Sequence, residues 1–132
     1  MDTAGFRRWI EGYERAWRSP GSARLAELFS ADVVYRHSPY AEPVVGLDAL
    51  GRDWQAERTG PDEVFTMEAD VLAVDAERPD GPLGIAHVLV RYGEPVREYR
   101  DLWLVRFDGA GRAREFEEWP YWPGRGWRPG AT

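Results

Sequence analysis

The last third of the chain carries the pattern that most constrains its fold: two runs of alternating side chains joined by a turn with two glycines. The runs are Glu98–Phe107 and Arg112–Trp119. Apolar and polar residues alternate with a period of two on both sides of the turn, which predicts a β-hairpin. Since alternate residues share one face of a strand, Tyr99, Asp101 and Trp103 should point the same way. A carboxylate among large aromatic side chains is typical of a small-molecule pocket.

The first part of the chain has a different pattern, with apolar residues three and four positions apart. This spacing predicts a helix from residue 3 to about 18, a short helix over Ala23–Phe29 that Ser22 can cap, and a third helix from Leu47 to about Arg58. A short strand at 33–37 and a loop closing at Gly46 lie between the last two helices. Period-two strands are predicted at about 64–75, 83–92, 96–107 and 112–119. Helices followed by an antiparallel meander predict an α+β fold, with helices covering one face of a curved sheet.

Length and charge narrow the class of protein. A chain of 132 residues predicts a single domain over 1–132, with an irregular tail at 120–132 because that stretch is rich in Pro and Gly. No apolar run is long enough to span a membrane and no signal peptide opens the chain, so we expect a cytoplasmic protein. The net charge of −6 argues against binding to nucleic acid or to anionic membranes.

Three residue types are missing from the chain, and their absence excludes several kinds of chemistry. Without cysteine there are no disulfides, thiolate nucleophiles or Cys-based metal sites. All 17 basic residues are arginine, so no lysine can form a Schiff base, and asparagine is absent too. With only two histidines, no metal site is predicted. We therefore expect a protein that needs neither a cofactor nor a metal.

Four short segments follow one another in a characteristic order and spacing: Tyr13–Trp17, Leu25–Asp32, Gly46 and Val105–Arg112. In these segments, across about residues 5–120, the chain resembles the NTF2-like superfamily, and within it the SnoaL-like proteins and ketosteroid isomerases. The resemblance implies a cone-shaped α+β fold, in which three N-terminal helices pack on a strongly curved antiparallel sheet and the open end admits a ligand. The superfamily includes isomerases, dehydratases, epoxide hydrolases, polyketide cyclases and proteins without catalysis.

The resemblance also implies site residues. Tyr13 matches the hydrogen-bond-donating Tyr of the isomerases, and His37 stands where they have a general-base Asp. Trp103 stands where they have a protonated Asp, so their set of hydrogen-bond donors is incomplete here. The Asp-Arg-Asp set of the epoxide hydrolases has no counterpart. SnoaL-like cyclases carry an acid/base carboxylate on a late strand, a role that Glu118 or Asp101 can fill.

His37, Asp101, Tyr13 and Glu118 are thus the candidate catalytic residues, and each has a structural alternative. His37 is a base at neutral pH if it is partly buried in a cavity, or a strand-end histidine bonded to the next loop. Asp101 has a raised pKa if it enters an apolar cavity, or pairs with a neighbouring Arg such as Arg91 or Arg114. Glu118 faces the cavity, or belongs to a solvated acidic run. Tyr13 contacts ligand through its hydroxyl, or packs in the core.

A further set of apolar and aromatic residues is predicted to line the pocket, with packing in the core as the alternative. Its members are Trp17, Tyr35, Trp54, Val88, Tyr99, Trp103 and Phe116.

In the opposite register of the strands, together with His87, lie four aliphatic residues whose exposure on one face would be unusual for a monomer. These are Ile85, Leu89, Leu102 and Leu104. They predict a homodimer through the outer face of the sheet.

Two functions are open on the sequence alone. One is a cofactor-independent acid/base enzyme, a cyclase, dehydratase or isomerase, acting on a small, partly apolar metabolite in a deep aromatic-lined pocket. The other is a non-catalytic small-molecule-binding or accessory module, again dimeric.

Overall fold

The structure of the protein, a computed structural model, describes residues 1–58, 64–93 and 96–125. It has helices α1 (Thr3–Arg18), α2 (Leu25–Leu28) and α3 (Leu47–Glu57). The side chain of Asp2 caps α1 by accepting a hydrogen bond from the Gly5 N–H at 2.7 Å. α2 is shorter than the predicted Ala23–Phe29, because Phe29 already belongs to the following strand, and no side chain caps it.

Six strands form one sheet in the order β2-β1-β6-β5-β4-β3. Their bounds are β1 Phe29–Arg36, β2 Val44–Val45, β3 Phe65–Asp75, β4 Leu83–Tyr92, β5 Arg97–Phe107 and β6 Ala113–Tyr121. β3 to β6 form the predicted antiparallel meander. The sheet is nevertheless mixed and not wholly antiparallel as predicted, because β1 pairs with β6 in parallel. The two-residue β2 lies in a segment predicted as loop, and Gly46, with a φ of 90°, turns the chain from β2 into α3.

The inner face of the sheet carries the core. Alternate residues of β5 point inward, so that Asp101, Trp103, Val105 and Phe107 are all buried. A β-bulge at Arg114 changes the parity of β6, since Arg106 pairs with Glu115 but Phe107 pairs with Ala113. Beyond this bulge, Phe116 and Glu118 are buried too. The bulge therefore helps to place a carboxylate of β6 on the inner face.

Arg58, just after α3, ties α3 to the C-terminal end of α1. Its buried guanidinium donates to the carbonyl oxygens of Trp17 at 3.0 Å and Gly21 at 2.8 Å, and also to that of Ser19. The last carbonyls of a helix lack partners within the helix, so these bonds satisfy groups that would otherwise be open. Arg58 therefore fixes the end of α1 that carries Trp17.

None of the helices in the described ranges is long and apolar enough to cross a membrane. Strand β6 continues through Tyr121, two residues farther than predicted, so the first part of the predicted irregular tail is ordered. Residues 126–132 of that tail, and residues 94–95 of a predicted turn, lie outside the described residues.

Candidate functional site

An open cavity of about 260 Å³ lies between the inner face of the sheet and the helices α1 and α3. Eight residues singled out from the sequence line it: Tyr13, Trp17, Tyr35, His37, Trp54, Tyr99, Trp103 and Glu118. The structure therefore brings most of the predicted site residues to one place, from two helices and three strands that are far apart in sequence.

Three of the predicted site residues do not line the cavity. Val88, Asp101 and Phe116 are at most 1% exposed and lie behind its wall. The ring of Phe116 is stacked between those of Tyr13 and Tyr35, at centroid distances of 5.7 and 4.6 Å, so these two rings shield it from the cavity. Val88 shares the inner face of β4 with the lining residue Val90, and Asp101 lies on β5 between the lining residues Tyr99 and Trp103.

Eight further residues of the lining were not among the sequence candidates. They are Asp53, Glu57, Phe65, Met67, Val90, Tyr92, Pro120 and Trp122. Asp53 and Glu57 carry a signal that could have found them. They are four apart on α3, and so lie on one side of it, next to the apolar stripe that includes Trp54.

A chain of hydrogen bonds runs along the cavity wall from Tyr13 to Glu118. The hydroxyls of Tyr13 and Tyr35 are 3.1 Å apart, and the Tyr35 hydroxyl donates to Glu118 Oε2 at 3.0 Å. Since Tyr35 has one hydrogen and gives it to the carboxylate, Tyr13 must donate to Tyr35. Burial, and then the charge of Glu118, raise the pKa of both tyrosines well above 10.0, so both stay neutral. Tyr13 is left with only lone pairs for a ligand.

His37 lies between two carboxylates, just beyond the end of β1. Its Nε2 is 2.7 Å from Asp53 Oδ2, and its Nδ1 is 3.3 Å from Glu118 Oε2. The hydrogen bond to Glu118 and then that to Asp53 raise the pKa of His37 from 6.5 to about 9, against the opposing effect of burial. At neutral pH the ring is therefore an imidazolium. The expectation of a neutral base is not met, and His37 is poised to give up a proton.

Asp101 is a buried carboxyl group next to Glu118. The Trp103 indole N–H donates to its Oδ2 at 2.9 Å, while Oδ1 has no N–H or O–H partner among the described residues. Burial, followed by the hydrogen bond and charge of Glu118, raises the pKa of Asp101 to about 10. A protonated Asp101 satisfies the geometry, because its hydroxyl can donate to Glu118.

The alternative predicted for Asp101, an ion pair with a neighbouring arginine, does not form. Arg91 pairs with Glu98 at 3.6 Å, and Arg114 pairs with Asp80 and Glu115 at 3.7 Å each. Arg91 alternates with the inward Val90 and so lies on the outer face, and Arg114 is the bulged residue of β6, whereas Asp101 points inward.

Glu118 is the centre of this network, which we call the Glu118 network and define as Tyr13, Tyr35, His37, Asp53, Glu118 and Asp101. Sheet register places Glu118: it pairs across β5 with Trp103, and its neighbour Glu117 pairs with Arg36 of β1. The Glu118 carboxylate thus accepts from Tyr35 of β1 and contacts His37 of the loop after β1, and it raises the pKa of the neighbouring Asp101 of β5.

His37, Asp53 and Glu57 each offer one metal-ligating atom, and these atoms lie within 4.8 Å of one another. The three residues are close enough to share a metal ion. A metal there would have to displace the proton that His37 shares with Asp53.

Comparisons with known proteins identify the fold but no family. No protein-family model matches the chain, and no curated protein matches it. Solved structures do match, among them an NTF-2 like protein of unknown function from Burkholderia xenovorans LB400. That protein is 15% identical, the match covers 98% of this chain and 91% of that one, and the TM-score is 0.61. The chain has an NTF2-like fold.

Two other matching structures with this fold are an enzyme and a hypothetical protein with a bound small molecule. A steroid delta-isomerase from Pseudomonas aeruginosa is 22% identical, with 91% of this chain and 82% of that chain covered and a TM-score of 0.59. A hypothetical protein with a ketosteroid isomerase-like fold from Catenulispora acidiphila DSM 44928, in complex with trimethylamine, is 13% identical, with 88% and 86% covered and a TM-score of 0.58. The predicted NTF2-like resemblance is confirmed at the level of the fold.

Proposed function

We propose that the cavity is an active site and that the protein is a cofactor-independent acid/base enzyme, an isomerase, dehydratase or cyclase. Its substrate is a small, partly apolar metabolite. The observation that carries this proposal is the pairing of an imidazolium, His37, with a buried carboxylate, Glu118, at the wall of one open aromatic-lined cavity. Titratable groups with strongly shifted pKa values that share a cleft are characteristic of catalytic sites.

The pair can supply a base and an acid to the same substrate. Glu118 accepts a proton from a substrate carbon, while His37 gives its Nδ1 proton to a substrate oxygen. Of the two His37 hydrogen bonds, the one from Nδ1 is longer, 3.3 Å against 2.7 Å, so this proton is held less tightly. The reaction leaves a neutral His37 beside a protonated Glu118, and transfer of that proton to Nδ1 restores the resting state.

The rest of the cavity suits a small, ring-bearing molecule. Indole and phenol rings dominate the lining, and about 260 Å³ accommodates a compact ligand. The Catenulispora protein, which shares the fold, holds the small molecule trimethylamine. This supports small-molecule binding, although it identifies no reaction.

Binding at this site is testable through the two histidines, because only His37 lines the cavity. In a proton NMR titration, we expect the ring protons of His37 to titrate near pH 9. Benzyl alcohol or benzylamine at saturating concentration should shift the His37 signals and leave those of His87 in place. A His87→Gln variant assigns the signals. A His37 signal that titrates near the ordinary value and ignores every probe contradicts the proposal.

The second candidate, a small-molecule-binding module without chemistry, is favoured by one observation. Both nitrogens of His37 are already bonded to carboxylates in the resting state. In that case the Glu118 network only holds the cavity wall in place, and substitution of His37 affects binding and stability but no rate.

We also propose that the protein forms a homodimer through the outer face of the sheet. Ile85, Leu89, Leu102 and Leu104 are partly exposed on that face. We expect light scattering to give twice the monomer mass of 15.1 kDa at micromolar concentration. Leu102→Glu should shift the mass to that of the monomer, because it places a charge in the interface. A monomer mass for the unmodified chain contradicts the dimer.

A further inference from the structure

We propose that the ligand of this cavity is an organic ammonium ion: an apolar ring or chain carrying a protonated amine. This inference rests on the proposed small-molecule site, but not on its catalysis. It is drawn from three features of the described lining: its charge, the direction of its hydrogen bonds and its aromatic surfaces.

The charge of the lining is negative. Three of its side chains are carboxylates, Asp53, Glu57 and Glu118, and one is an imidazolium, His37. No arginine is among the lining residues that the structure describes, and the chain contains no lysine. With Asp101 neutral, three carboxylates and one imidazolium leave the lining side chains with two net negative charges. Glu118 is 9% exposed, so its charge acts through a medium of lower dielectric constant than water, which strengthens attraction to a cation.

Hydrogen bonding around His37 points to the same kind of ligand. Both N–H groups of His37 and the hydrogens of Tyr13 and Tyr35 are already donated within the Glu118 network. What remains for a ligand at this end is a set of acceptors: carboxylate oxygens of Asp53 and Glu57 and the lone pairs of Tyr13. A protonated amine brings N–H donors to these acceptors, whereas a carboxylate or phosphate ligand would meet like charge. The indole N–H of Trp54 has no partner among the described residues, but it is buried.

Aromatic rings form most of the remaining wall, and their faces attract cations. Two lining rings already hold guanidinium groups: Arg18 lies 4.0 Å from the centre of Phe65, and Arg97 lies 4.7 Å from that of Tyr92. Both arginines are exposed, and Arg18 is paired with Glu14 at 2.9 Å, so water and this carboxylate screen their charge from the cavity. The Arg58 guanidinium lies farther from the centre of its ring, 5.9 Å from that of Trp17, and is held by backbone carbonyl oxygens at the end of α1. Trp17 and Trp54 are joined edge to face at 4.8 Å, next to the carboxylates of α3.

Three probes of one size separate charge from shape: benzylammonium, neutral benzyl alcohol and anionic benzoate. We expect calorimetry on the full chain at pH 7.5 to show benzylammonium binding about tenfold or more tighter than benzyl alcohol, and benzoate weakest. The His37 NMR signals report whether each probe occupies this cavity.

A matched pair of variants locates the charge. Glu57 lines the cavity, is exposed and forms no ion pair among the described residues, whereas Glu68 is exposed on β3 away from the cavity. Glu57→Gln should weaken benzylammonium binding about threefold to tenfold and leave benzyl alcohol unchanged. Glu68→Gln should change neither.

The outcomes distinguish this inference from the proposed site. If benzyl alcohol binds as tightly as benzylammonium and both shift the His37 signals, the proposal of a cationic ligand is wrong, but the small-molecule site is supported. The same holds if benzoate binds most tightly. If no probe binds or moves the His37 signals, the site itself is overturned.

Discussion

Replacing Asp101 with asparagine should stabilise the protein at pH 8, by about 2–4 kcal/mol in the free energy of unfolding. Asparagine has the shape of a protonated aspartic acid. Its amide can donate to Glu118 as the acid hydroxyl does, and its carbonyl can accept the Trp103 indole N–H that now bonds to Oδ2. The substitution removes only the requirement to keep a proton on a carboxyl group that water would ionise.

The sign of the effect follows from the pKa of Asp101, about 10 in the folded state against 3.8 as the ordinary value. Between these values the folded state holds a proton that the unfolded state releases, so stability falls as pH rises from about 4 to 10. His37 acts in the same direction. Its pKa is raised to about 9, so its stabilising contribution is complete below 6.5 and is lost as pH rises through 9. Unmodified protein should therefore be most stable in mild acid.

Thermal unfolding at pH 5 and pH 8 measures this. At pH 8 we expect Asp101→Asn to raise the melting temperature by about 10 °C. At pH 5 the rise should be much smaller, because at a pH close to the ordinary pKa of 3.8 it costs little free energy to keep Asp101 protonated in the folded state. Asp70→Asn, the same change at an exposed position of β3, serves as the control and should have little effect. A variant less stable than the unmodified protein at pH 8 would mean that Asp101 is ionised and stabilising.

The meander was predictable from the sequence because its signals are local. Each strand from β3 to β6 alternates, and Gly or Pro marks each turn, so the predicted bounds differ from the observed ones by at most two residues. The parallel pairing of β1 with β6 was not predictable in this way. It joins Phe29 to Ala113 across most of the chain, and no turn between them records it.

In the candidate site too, features with a local sequence signal were predictable, and those that depend on contacts between distant segments were not. Shared faces predicted that Tyr99 and Trp103 point inward, and they line the cavity. Protonation states depend on distances between elements. The pKa of His37 is raised mainly by its hydrogen bond to Glu118, and that of Asp101 is raised by burial and then by the neighbouring Glu118. That arrangement requires both the parallel β1–β6 pairing and the bulge at Arg114, neither of which the alternation pattern contains.

His37→Gln should lower the rate of the proton-transfer reaction by about 10²–10⁴-fold, because it removes the acid of the proposed acid/base pair. Glutamine can still donate a hydrogen bond to a carboxylate, but cannot transfer a proton at neutral pH. Incorporation of solvent deuterium at the carbon next to the carbonyl of small aromatic ketones, followed by proton NMR, measures the rate without knowledge of the natural substrate.

The pH profile separates this chemical role from a structural one. In the unmodified protein the rate should fall as pH rises through about 9, since the imidazolium of His37 is then lost. His37→Gln should lack this limb, and circular dichroism checks that the variant is folded. His87→Gln, the same substitution on the outer face, should keep both the rate and the limb. Equal rates for His37→Gln and the unmodified protein, with ligand binding intact, would leave the cavity as a binding site and assign the Glu118 network to holding its wall.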